Sequence, residues 1–206
     1  MNHPVLIVLL TAAGLYVGAL WRSDLRAAQA GTPNLNAFPG AQPATRRAIT
    51  LAATGALVLV ALETSGEYAL GISAGQSRMT WLFALYSMTA APVIEELVFR
   101  GWLVLDVKRR SRFAPLPTWA AAVAASVLFA ALHPFLWSWD EAGFALTLTT
   151  KGWFSFAAAF ATSLWLYASR LAAWNPSHSL LPCFVAHAAK NFAVVAVKFA
   201  TGFMGG

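Results

Sequence analysis

Glu95, Glu96 and Arg100 stand in the run Ala90-Ala-Pro-Val-Ile-Glu-Glu-Leu-Val-Phe-Arg-Gly101, inside an otherwise apolar stretch. At the centre of a bilayer each charge disfavours insertion by roughly 2.5–3.5 kcal/mol, whereas a Leu or Phe returns only about 0.5. Charges kept at that cost need a task. Glu96 and Arg100 are four apart, so they share a helix face and can pair. Glu95 points about 100° away on a 3.6-residue helix and is left without a local cation. His133 is followed by Pro134, which cannot continue the backbone ladder, so the imidazole sits at a helix end or kink where water can enter. His187 and Asn191 are again four apart and project from one helix toward the same neighbour.

A carboxylate beside imidazoles, in a pocket shielded from lipid, can take a proton from water and direct the water at a carbonyl. Asn191 or a protonated imidazole can then hold the developing oxyanion. Alternatively, Glu95, His133 and His187 can ligate a divalent metal such as zinc, since one carboxylate and two imidazoles make a common catalytic set. The residues alone leave both mechanisms open. No Ser-His-Asp arrangement is evident. Cys183, the single cysteine, lies four residues from His187 but reads as a small core residue.

Helices spanning a membrane must position these groups. The 206 residues are 59% hydrophobic and 11% charged, far too few charges to wrap a soluble core of that size. The expected architecture is therefore all-α, a polytopic membrane bundle of about six helices. Apolar segments of nearly spanning length fall near 4–21, 48–70, 79–106, 118–133, 151–173 and 179–203. Residues 1–30 read as a peripheral N-terminal transmembrane helix and residues 46–206 as the bundle. Ala28-Gln29-Ala30 resembles a signal cleavage site, but no Lys or Arg precedes the first apolar run, which favours a retained helix. Pro33, Pro39 and Pro43 mark 31–45 as an irregular cytoplasmic linker. Pro134 to Thr150, with Trp137 and Trp139, reads as an interfacial segment on the other side.

The net charge of +6 does not indicate a nucleic-acid partner, because the basic residues gather at segment ends, where anionic lipid headgroups lie. Alternating the six helices puts Arg22, Arg26, Arg46, Arg47, Lys108, Arg109, Arg110, Arg112 and Arg170 in one set of loops. Arg78, Lys151 and Lys198 fall in the other, so the richer side is cytoplasmic and both termini lie across the membrane from it. Counted from Lys108, Glu95 lies about 20 Å deep, and His133 counted from Thr118 about 22 Å. His187 counted from Ser179 reaches only about 12 Å, a mismatch in level. Glu63, Glu67, His3, His178 and Lys198, near segment ends, read as interfacial, and Lys190 has no assigned role.

Glu95-Glu96-x-x-x-Arg100, then Phe129-x-x-x-His133, then His187-x-x-x-Asn191, in order on successive apolar segments, resembles the CPBP (ABI) family of intramembrane proteases, which includes the type II CAAX prenyl endopeptidases. The resemblance covers about residues 79–203 and implies an endopeptidase with its active site inside a helical bundle. It implies that Glu95 is the water-activating base, supported by Glu96 and Arg100. His133 and His187 would position water or bind metal, and Asn191 would help hold the oxyanion. The implied setting is a multi-pass protein of a bacterial cytoplasmic membrane. The implied partners are membrane lipids and a membrane-associated peptide or protein substrate.

Two readings of other classes compete. Intramembrane Glu, His and Lys also serve as relays in proton- or ion-coupled transporters, although no second copy of the Glu-Glu-x-x-x-Arg run marks an inverted repeat. A catalytically silent membrane scaffold is the other.

Overall fold

The computed structural model describes residues 3–104, 118–140 and 143–205. The basic cluster Lys108, Arg109, Arg110 and Arg112 and the end of the expected third helix lie outside the described residues.

Among the described residues six α-helices form: α1 (Pro4–Gln29), α2 (Arg46–Ala69), α3 (Trp81–Glu96), α4 (Thr118–Leu132), α5 (Thr150–Leu171) and α6 (Leu181–Ala200). Their starts follow local chemistry. Pro4 and Pro182 occupy first-turn positions, where a missing N–H costs nothing. The side chains of Thr45, Thr80 and Thr149 cap α2, α3 and α5 by accepting from Ala48, Phe83 and Gly152 N–H groups. α1, α2, α6 and the span Trp81–Leu103 are long and apolar enough to cross a membrane. α4, at 15 residues, is about 22 Å long and shorter than a ~30 Å hydrocarbon core. The all-α membrane bundle is thus as expected. Leu9, Leu62, Phe192 and Phe199 are each at least 61% exposed on helix surfaces, as lipid-facing side chains would be.

The structure differs from the expected single helix over 79–106. α3 keeps α-helical hydrogen bonding only to Glu96, and Leu97–Leu103 continues as a π-helix before Val104 turns extended. Pro92 lies inside α3 and removes one rung of its ladder just before this change. π-helical turns are rare and recur at functional sites. A second difference is at the expected interfacial segment, where β1 (Trp137–Asp140) and β2 (Gly143–Leu146) pair as an antiparallel hairpin. A two-stranded sheet leaves the outer backbone groups of both strands unpaired, so it belongs where water can reach them, as at a segment leaving the membrane.

The two ends of the bundle are distinct. At one, the 31–45 linker has no regular structure but packs across the helix ends. Trp21 Nε1 donates to Pro39 O at 3.1 Å, Leu180 N to Gly40 O at 3.0 Å and Ser179 Oγ to Gln42 O at 2.6 Å. At the other, Met79 N donates to Phe203 O at 2.9 Å and Lys198 Nζ to Ser77 O at 2.6 Å. Linker and α5–α6 turn together, with the start of α3 beside the end of α6, is the arrangement that alternating helices require. Between these ends, Trp21, Leu97, Leu166, Leu180 and Phe184 form the main core, with Trp21 set edge-on to Phe184 at 4.8 Å.

Candidate active site

Glu96 and Arg100 are completely buried, and Arg100 Nη1 donates to Glu96 Oε1 at 3.0 Å. Isolating either charge there would cost several kcal/mol, so the surroundings must absorb both. α5 supplies Ser163, whose Oγ and backbone O accept from Arg100 Nη2 at 2.6 and 3.3 Å, and Ser163 Oγ donates in turn to Ser126 Oγ of α4 at 2.9 Å. The guanidinium also lies over the rings of Phe129 and Tyr167, at 4.7 and 5.0 Å from their centroids. Tyr167 OH is fixed by donating to Phe99 O at 2.6 Å. Ser126, Ser163 and Tyr167 escaped sequence reasoning, which looked for charges and histidines. The available signal was Ser163-x-x-x-Tyr167 on one face of an apolar helix.

His187, on α6, reaches the same carboxylate, with Nδ1 2.8 Å from Glu96 Oε1. A carboxylate can only accept, so Nδ1 carries the proton and Nε2 presents its lone pair unless the ring is charged. Nε2 lies 3.8 Å from Glu95 Oε2. That oxygen is buried and accepts no hydrogen bond among the described residues, although the Glu95 side chain as a whole remains 26% exposed. Glu95, which the helix geometry alone left without a local cation, therefore faces the imidazole that Glu96 orients.

The expected mismatch in level disappears. The helix around Glu95 ends at Leu103, five residues short of Lys108, so Glu95 is about 12 Å from its helix end, the depth reckoned for His187.

His133 lies just past α4, as Pro134 predicts, with Nδ1 2.7 Å from Phe129 O. A carbonyl only accepts, so Nδ1 is the donor and Nε2 is left for another contact. Its ring packs on Phe129 at 4.6 Å, and Phe129 in turn lies 6.4 Å from the His187 ring, so one aromatic side chain separates the two histidines. Asn191 Nδ2 donates to Ser87 O at 2.7 Å, tying α6 to α3 one turn from His187. Glu95 and Glu96 thus both face His187 and Arg100 pairs with Glu96, while His133 and Asn191 border them. Among the described residues, no three or more His, Cys, Asp or Glu side chains are gathered closely enough to hold a metal ion, Glu95, His133 and His187 included.

Elsewhere, Lys190 Nζ pairs with Glu63 Oε2 at 3.0 Å, joining α6 to α2 and giving that lysine a partner. Glu67 was expected to be interfacial, but it is buried, bonded to Lys151 and accepting from Gln76 Nε2 at 2.6 Å. Lys151 reaches it from α5, 84 residues away along the chain, a pairing that no local spacing reveals. Cys183 is buried, with Sγ 3.3 Å from Leu166 O, the core role expected of it.

No curated protein and no solved structure matches the chain. Among protein families, residues 77–193 match the one described as type II CAAX prenyl endopeptidase Rce1-like. That stretch is more than half of the chain and runs from the approach to α3 through Asn191, enclosing Glu95, Glu96, Arg100, His133 and His187. This integral membrane protein belongs to the Rce1-like family of type II CAAX prenyl endopeptidases, a family of proteases with membrane-associated protein substrates.

Proposed function

We propose that the chain is an intramembrane endopeptidase that hydrolyses a peptide bond of a membrane-associated peptide or protein, with Glu95 as the base that activates water. The observation carrying this reading is the His187 ring, set between Glu96 Oε1 at 2.8 Å and Glu95 Oε2 at 3.8 Å. A carboxylate oxygen and an imidazole lone pair are both acceptors, so a water that donates to each can join them. A water held there can pass one proton to Glu95 as its oxygen attacks the substrate carbonyl. The arriving charge on the carbonyl oxygen is met by the second N–H of Asn191 or by protonated His133. Glu95 then returns its proton to the departing amine, which closes the cycle.

In this reading Glu96 acts through His187. Its carboxylate accepts from His187 Nδ1 and fixes the ring tautomer, while Arg100 holds that carboxylate in place. The basic loop residues favour cytoplasmic placement of the linker end.

The test is cleavage of a peptide library by purified protein in lipid, with Glu95→Gln and His187→Ala alongside. Both substitutions should lower turnover by at least about 10²-fold, the lower range for losing a general base. Cleavage that persists in both would overturn the assignment. Chelation should leave turnover unchanged, and activity lost to chelator and restored by zinc would transfer water activation to a metal.

A further inference from the structure

α1 lies outside the stretch that matches the protease family and packs beside α3 at Val93. A groove of about 480 Å³ runs along it. Gly14, Leu15, Gly18 and Val93 line its membrane part, and Arg22 and Arg26 close one end. From Gly14 to Arg26 is twelve residues, about 18 Å, close to the ~15 Å half-thickness of a hydrocarbon core. The groove therefore spans one leaflet and ends in two guanidinium groups at headgroup level.

Those two charges are unneutralised. Arg22 and Arg26 are exposed, and neither side chain has a polar partner among the described residues. Asp24, the acid in the same helical turn, is committed to the linker, accepting from Phe38 N at 2.8 Å and Asn34 Nδ2 at 3.2 Å. Gly14-x-x-x-Gly18 would mark a dimer face on an isolated helix. Here Gly14 is used within the chain, since a Cβ on it would stand 2.6 Å from Ala90 Cβ, and Gly18 is left facing the groove.

The geometry points to a binding site for one anionic phospholipid, with its phosphate on Arg22 and Arg26 and an acyl chain laid along Gly18 and Gly14. Charge complementarity selects the headgroup, and the length of the groove selects a single-leaflet chain. The site lies on α1 rather than among the catalytic candidates, so it stands whether or not the proposed peptidase activity does.

Native mass spectrometry of the full chain, released from detergent with phosphatidylglycerol or phosphatidylcholine, reads the site directly. Wild type should keep one phosphatidylglycerol with a roughly thirtyfold preference, since two surface arginines supply about 1 kcal/mol each and 1.4 kcal/mol is tenfold. Arg22→Gln with Arg26→Gln should remove the preference. Gly18→Leu, which fills the groove, should lower retention of both lipids. Arg46→Gln with Arg47→Gln, equally exposed on the same side but off the groove, should change nothing. Equal retention of the two lipids by wild type would overturn the proposal, as would equal losses from both arginine pairs, which would mean diffuse surface charge. A lipid-free dimer broken by Gly18→Leu would overturn it too, giving the face to a second copy.

Discussion

Glu96→Gln alters one atom of a completely buried carboxylate and tests whether its charge or its hydrogen bonds hold the site together. Both Arg100 Nη1 and His187 Nδ1 use the same oxygen, Oε1, at 3.0 and 2.8 Å, whereas Oε2 has no hydrogen-bond partner among the described residues. A glutamine that keeps its carbonyl in the Oε1 position retains both bonds, so what is lost is the charge. At 3.0 Å and an effective dielectric constant near 20, that attraction is about 5 kcal/mol. Breaking buried pairs by removing one partner generally costs ~3–5 kcal/mol, because the other charge stays buried. Ser163 and the Phe129 and Tyr167 rings still cushion Arg100, which puts the expected loss near the lower figure, about 3 kcal/mol. At about 2–4 °C per kcal/mol, the melting point should fall by roughly 6–12 °C. Thermal unfolding in detergent, followed by the fluorescence of the nine tryptophans, measures it. Arg100→Met alone should cost a similar amount, and the double variant clearly less than the sum. If the two losses add to within about 0.5 kcal/mol, the pair is not coupled and the reasoning about charge fails.

Ser163→Ala removes one charge-assisted acceptor from Arg100 and should cost about 1.5–3 kcal/mol in the same melt, with kcat falling more than KM because Ser163 lies behind the proposed chemistry. Asn191→Ala gives up the bond to Ser87 O, worth about 1 kcal/mol of stability; if its second N–H meets the oxyanion, turnover should fall about 10²–10³-fold, far beyond that loss. Glu95→Gln should abolish cleavage yet melt within about 1 kcal/mol of wild type, since it replaces an oxygen without a hydrogen-bond partner. Gly55→Ala should cost about 1–3 kcal/mol, because its Cβ would stand 2.1 Å from Trp165, whose indole is pinned to Ala52 O; Gly75→Ala, open to 3.6 Å, is the neutral control in the same unfolding assay.

Much of this was legible from residue types. Charge scarcity and apolar run lengths give a membrane bundle, and the four-residue spacings put Glu96 with Arg100 and His187 on the same helix as Asn191. Pro134 correctly ends α4 before His133. The π-helical turn was not legible, because its cause lies in how Pro92 and the packing around Leu97 redirect a ladder whose side chains read as ordinary helix. The Glu67–Lys151 pair was hidden for a different reason: its partners are far apart in sequence and meet only when α5 packs beside α2. Spacing rules find partners within a helix, whereas partners between helices depend on rotation about the helix axes, which hydropathy does not specify.

The polar groups in the bundle fall into two layers with opposite demands. Glu96, Arg100, Ser163 and Ser126 form a hydrogen-bonded chain closed to solvent, in which Glu96 Oε2 and Arg100 Nε keep no hydrogen-bond partner among the described residues, and it is shared by α3, its π-helical continuation, α5 and α4. Such a network, bonded across three helices, fixes them relative to one another. Glu95 is its counterpart. It leaves an oxygen unbonded beside an imidazole that the closed layer has aimed, and the rest of its side chain is partly open. The unpartnered Glu95 oxygen differs from that of Glu96 in facing His187 Nε2 on a side chain that is 26% exposed, and that access argues for use rather than packing. With Arg100 and Ser163 holding Glu96, and Glu96 holding His187 Nδ1, the imidazole keeps its Nε2 3.8 Å from Glu95 Oε2, the gap at which the proposed water activation takes place.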